Sequence, residues 1–187
     1  DWALRVRGPL DNGFRGWEWL AEHDGLGKSI ELVNPHLSNN SGQNWASSLA
    51  TNGTPGQANS VFATNVPPLI LEVGHFPIVP TSGDAVVVIG RLLDEHTNGL
   101  TLTLHWRVDA TTPPPFEPLA MFDDGQHEDG APADGVFAVT LPAQTNNAVV
   151  EFYLEASDLE GNRRTWPAAA RQADGSFAQT ANALYQV

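Results

Sequence analysis

An all-β fold is predicted by three observations. Short runs are rich in Val, Leu, Ile, Phe and Tyr, apolar and polar residues alternate within them, and Gly, Pro, Asp and Asn separate them. The 187 residues include 17 Gly and 14 Pro, which suits tight turns between short strands, and 41% of the chain is hydrophobic, enough for a packed core. Helical periodicity is confined to one candidate turn at residues 167–171.

In chain order, residues 1–65 hold only brief apolar pieces, at 2–6, 17–20 and 29–33, between loops rich in Trp, Asn, Gly and Ser. Residues 37–59 repeat at neither the helical nor the strand period and read as ordered loop anchored by Trp45. The composition shifts at Val66-Pro67-Pro68, where two prolines stiffen the chain and oppose strand pairing. One unit is therefore expected over residues 1–65 and a second over 66–187.

In the second unit, strands are predicted at 69–73, 84–93, 100–108, 119–122, 136–141 and 149–156, with room for a seventh. Leu100, Leu102, Leu104 and Trp106 share one face of a strand, opposite Thr101, Thr103, His105 and Arg107. Val150, Phe152, Leu154 and Ala156 alternate in the same way with Glu151, Tyr153, Glu155 and Ser157, and the run ends at the turn Asp158-Leu159-Glu160-Gly161-Asn162. This pair resembles the two central strands of an immunoglobulin-like β-sandwich.

Charge excludes several partners. With 9 Lys and Arg against 22 Asp and Glu, the formal charge of −13 repels phosphate, so nucleic acid and anionic membrane surfaces are not expected partners. Without Cys there is no disulfide, zinc thiolate or cysteine nucleophile. No apolar run approaches the roughly 20 residues that span a bilayer, and residues 1–7 do not read as a signal peptide. An export signal, if the parent protein has one, is expected outside this stretch.

The run Gly25-Leu26-Gly27-Lys28-Ser29-Ile30-Glu31-Leu32-Val33-Asn34-Pro35, then Gly42-Gln43-Asn44-Trp45-Ala46-Ser47-Ser48 and Gly53-Thr54-Pro55-Gly56-Gln57-Ala58-Asn59-Ser60, resembles the end of a bacterial lamin-tail domain. That family is a small immunoglobulin-like sandwich found in exported or surface proteins beside CotH-type kinase domains, nucleases, phosphatases and repeated sandwich modules. The likeness covers the first third of the chain and lacks the opening strands, implying a truncated lamin-tail-like β unit. It also implies core positions for Trp17, Trp19 and Trp45. Met121-Phe122-Asp123-Asp124-Gly125, Asp129-Gly130-Ala131-Pro132-Ala133-Asp134-Gly135-Val136-Phe137 and the closing Ala183-Leu184-Tyr185-Gln186-Val187 resemble the sandwich module that follows lamin tails.

The acidic loop between two strands is the one candidate metal site. Asp123, Asp124, Asp129 and Asp134 could offer oxygens to a hard cation such as Ca²⁺. They lack the spacing of a calcium-binding loop, however, and Asp-Gly pairs form turns in their own right, so turn chemistry is the expectation and no cofactor is required. His127 beside Glu128 is the histidine best placed to join a metal or act as a base. The Gly-Lys-Ser triplet at 27–29 is not a phosphate loop, because Glu22 stands where the first glycine is needed. No Gly-x-Ser-x-Gly elbow or activating base is present, and no enzymatic activity is expected. Among six Trp, Trp166 is the candidate surface ring for stacking on a sugar.

These readings predict a non-catalytic structural, adhesive or spacer module of a larger exported or cell-surface bacterial protein. Its expected partners are the other domains of that protein and a surface glycan or protein. The alternative is a carbohydrate-binding accessory domain of a secreted enzyme.

Overall fold

The computed structural model describes residues 4–11 and 14–187, so Trp2 lies outside the described residues. The protein is all-β. In chain order its strands are β1 (Leu4–Asp11), β2 (Phe14–Leu20), β3 (Ile30–Leu32), β4 (Trp45–Ser47), β5 (Leu69–Phe76), β6 (Val86–Leu93) and β7 (Thr101–Val108). There follow β8 (Glu117–Ala120), β9 (Val136–Leu141), β10 (Val149–Ser157), β11 (Arg163–Trp166), β12 (Ala170–Arg171), β13 (Phe177–Ala178) and β14 (Ala183–Gln186). They divide between two compact units: residues up to Val66 with Ala168–Ala181, and Pro67–Pro167 with Asn182–Val187.

The second unit is a sandwich of two antiparallel sheets. One has the order β11-β10-β7-β8, and the other is β5-β6-β9. β10 pairs along its length with β7, while its other edge is shared: residues 149–152 meet β14 and residues 154–157 meet β11. Alternation sends Leu102, Leu104, Val150, Phe152, Leu154 and Ala156 inward from one sheet onto Val86, Val88, Phe137, Val139 and Leu141 of the other. Leu104, Leu154, Val88 and Leu141 are wholly buried. Trp106 packs against the same core, as its register with Leu102 and Leu104 requires. A Cβ on Gly90 of β6 would stand 2.9 Å from Leu154 Cδ1 and 3.2 Å from Leu102 Cδ2, so glycine there lets the two sheets approach.

Two elements depart from the sequence reading for local reasons. The strand expected at 119–122 lies at 117–120, because the chain there leaves one sheet for the other. Met121 N–H still donates to Leu102 O at 2.9 Å, but Phe122 exchanges both backbone bonds with Ala138 of β9. The helical turn expected at 167–171 is absent. Ala170–Arg171 instead forms a strand that pairs in parallel with β1, Val6 facing Arg171.

The first unit contains the sheet β13-β12-β1-β2 and the hairpin β3-β4. The Arg5 guanidinium reaches the carbonyls of Ala181 and Ala168 and stands 5.2 Å over the Trp17 ring, so one side chain joins β1 to the returning segment. Residues 37–59 are mainly loop, but they also carry a 3₁₀ turn at Gly42–Asn44 and the strand β4.

Polar groups dominate the buried residues around β3 and β4. Asn44 is 1% exposed. Its Oδ1 accepts from Asn34 N–H at 2.9 Å and its Nδ2 donates to Asn34 O at 2.8 Å, extending the strand pairing with an amide side chain. Glu31 is also buried and gathers Ser29, Thr54 and Ser60 around its carboxylate. Such burial is tolerated because nearly every polar atom finds a partner. The tryptophans do not supply a core here: Trp19 is 62% exposed, while Trp17 and Trp45 are half-buried.

Candidate functional site

The loop between Phe122 and Val136 curls tightly, because Gly125, Glu128, Gly130, Ala133 and Gly135 all adopt positive φ. This turns successive backbone N–H groups toward the four aspartates. Asp123 accepts from Asp134 N–H at 3.2 Å and Gly135 N–H at 3.0 Å. Asp134 in turn accepts from Ala131 and Val136, at 3.2 and 2.9 Å. Asp129, 2% exposed, takes the Gly125 N–H at 2.7 Å and the His127 N–H at 3.1 Å. The Gly125 bond is the main reason its carboxyl sits below the usual aspartate range.

Asp124 accepts from Gln126 N–H and meets His127 Nδ1, both at 2.9 Å, and the His127 contact foremost holds its pKa down. The His127 ring also stacks on Phe122, with centroids 4.5 Å apart. Each carboxylate named at the sequence level thus holds a different stretch of its own loop. Among the described residues, no group of three or more His, Cys, Asp or Glu side chains is arranged to hold a metal ion.

A cleft of about 580 Å³ runs beside this loop, lined by Asp94, Asn98, Leu100, Met121, Phe122 and Asp134 among others. Asp94, just past β6, accepts from His96 N–H at 2.9 Å. Burial and the neighbouring charges of Glu95 and Asp158 push its pKa up.

Trp166 is not an open ring. The register of β11 on β10 sets it opposite wholly buried Leu154, on the inward face, and it packs half-buried against the sandwich core. On the outward face of β7 and β10, His105 stacks on Tyr153 with centroids 4.5 Å apart and planes 1° from parallel. Phe116 meets Tyr153 edge-on at 5.0 Å, Arg107 lies 4.1 Å over Phe116, and Arg107 Nε reaches Glu151 at 2.6 Å. Burial lowers the His105 pKa against the pull of Glu155. Only the alternation at 101–107 and 150–157 hinted at this ladder, since the residues join across strands.

The first unit holds a shallow groove of about 370 Å³ lined by Ile30, Asn39, Asn40, Gly42 and Trp45. Trp45 Nε1 donates to Asn39 O at 2.9 Å, which fixes the indole against the loop. The sequence singled out Trp45 but not Asn39 or Asn40, which sit in a stretch without periodicity. No protein-family model matches the chain, and no curated protein sequence matches it.

Proposed function

We propose that the chain is a non-catalytic structural and adhesive module of a larger exported bacterial protein, built from the end of a lamin-tail-like domain and a following sandwich. The observation that carries this reading is the state of the acidic loop. Asp123, Asp124, Asp129 and Asp134 are the densest set of acid–base groups suggested by the sequence, and all four brace backbone N–H groups of their own loop. A carboxylate committed to loop architecture is a poor general base or nucleophile. The lamin-tail likeness points the same way, since its Ile30-Glu31-Leu32 segment forms β3 and its glutamate is a buried packing hub.

The purified chain is expected to show no turnover on broad hydrolase and phosphatase panels. Metal-dependent turnover that survives repurification and disappears in Asp124→Ala would overturn the non-catalytic reading. The second reading, a carbohydrate-binding accessory domain of a secreted enzyme, is favoured by one observation: the uncharged groove beside Trp45.

A further inference from the structure

We infer that the groove formed by Ile30, Asn39, Asn40, Gly42 and Trp45 is a binding site for one residue of a neutral saccharide. The inference rests on the adhesive reading for its setting, but its geometry stands alone. In a chain of net charge −13, none of the five lining residues ionises. An ionic ligand would find no counter-charge there.

The groove combines one indole, the 42% exposed side chain of Ile30, and two exposed amides. No hydrogen bond among the described residues uses the side-chain amides of Asn39 and Asn40. Each amide offers two donors and a carbonyl acceptor, a set that pairs with vicinal hydroxyls acting in both senses. A purely apolar ligand would cover those amides without satisfying them. A sugar ring has a C–H face that suits the negative face of an indole and a hydroxyl rim that suits amides. At about 370 Å³, the groove lies at the small end of ligand sites.

The site is held in shape without ligand. Trp45 is fixed through Nε1 to Asn39 O and through its strand pairing with Leu32. The loop behind it is secured by Asn44 Nδ2 donating to Ser38 O at 3.2 Å and by Ser41 Oγ accepting from Gln43 N–H at 3.3 Å. Ordering on binding is confined to the two exposed asparagine side chains, so a single shallow contact is expected to have a dissociation constant on the order of millimolar.

The test is retention of the intact chain on an array of neutral and anionic glycans, with melting curves run on every variant. Neutral glycans are expected to retain the chain. Trp45→Ala, and separately the pair Asn39→Ala with Asn40→Ala, are expected to weaken retention roughly five- to tenfold, while Trp19→Ala at an exposed ring outside the groove leaves it unchanged. If Trp45→Ala unfolds, the asparagine pair, whose side chains make no internal bonds, decides the matter. Absence of neutral-glycan retention, preference for anionic glycans, or loss on Trp19→Ala rather than on the groove variants would overturn the inference. Retention and catalytic turnover are separate readouts, so failure here leaves the non-catalytic reading standing.

Discussion

Glu31 Oε2 accepts both the backbone N–H of Ser60, at 2.7 Å, and its hydroxyl, at 2.8 Å, while Oε1 takes the Thr54 hydroxyl at 2.6 Å. One buried carboxylate therefore ties β3 to two points of a loop more than twenty residues away. The Thr54 bond foremost, with those from Ser60, lowers its pKa below the ordinary glutamate value of 4.5 against the opposing effect of burial. Its contribution is present above the unfolded value and is lost as pH falls through the lower folded value. Glu31→Ala is expected to lower the melting temperature by roughly 5–10 °C at pH 7 and to flatten the acid limb of stability below pH 4.5, read by melting curves across pH.

Asp129 offers a sharper test of the acidic loop. Asn at this position keeps only one carbonyl oxygen for the N–H groups of Gly125 and His127 and sets an amide donor against one of them. Asp129→Asn is expected to lower the melting temperature by several degrees, with equal melting temperatures in calcium and in chelator for both proteins. A calcium-dependent rise in the parent chain that Asp129→Asn abolishes would show that the loop holds a cation.

His105 and Asp94 have opposite pH signatures. Burial lowers the His105 pKa, so the folded protein binds fewer protons than the unfolded chain just below the ordinary histidine value of 6.5. Its neutral-form stabilisation is complete above that value and lost as pH falls beneath it. His105→Phe, which keeps a ring against Tyr153, is expected to remove a decline of roughly 1–3 °C between pH 7.5 and 5.5 after allowance for solvent screening. Asp94 has a raised pKa, so its ionised form costs stability as pH rises above 3.8. Asp94→Asn should raise the melting temperature by about 2 °C at pH 7 and by nothing near pH 3.5.

In the sandwich core, Leu104→Ala is expected to cost about 2–5 kcal/mol, since the side chain is wholly buried between the sheets. Gly90→Ala should also destabilise by forcing Leu154 and Leu102 aside. Chemical denaturation of each variant gives both values.

The sandwich was legible because its strands bury one face, and burial leaves a period of two in residues such as Leu102, Leu104 and Trp106. The first unit was less legible for a physical reason. Glu31, Asn34, Asn44 and Ser48 are buried there through hydrogen bonds, and polar burial leaves no hydrophobic alternation to read. β4 and β12 are too short, at three and two residues, to carry a pattern. The inward aim of Trp166 depends on the register of β11 against β10, which leaves no signal in the four residues of that strand. The turn chemistry of the aspartates followed from Asp-Gly spacing, but their division of labour required the geometry of the curled loop.

The parallel pairing of β1 with β12 also governs the order in which the protein can form during synthesis. β1 and β2 leave the ribosome well before their partner strand, which follows only after the entire central stretch from Pro67 to Pro167 has been made. The sandwich strands up to β11 are then already available to pair, while the amino-terminal hairpin still has one edge without its neighbour. A protease cut between Val66 and Pro67 would separate that hairpin covalently from β12 but would leave the Val6–Arg171 pairing and the Arg5 hydrogen bonds to Ala168 and Ala181 in place. Nicked chains are therefore expected to stay associated until denatured.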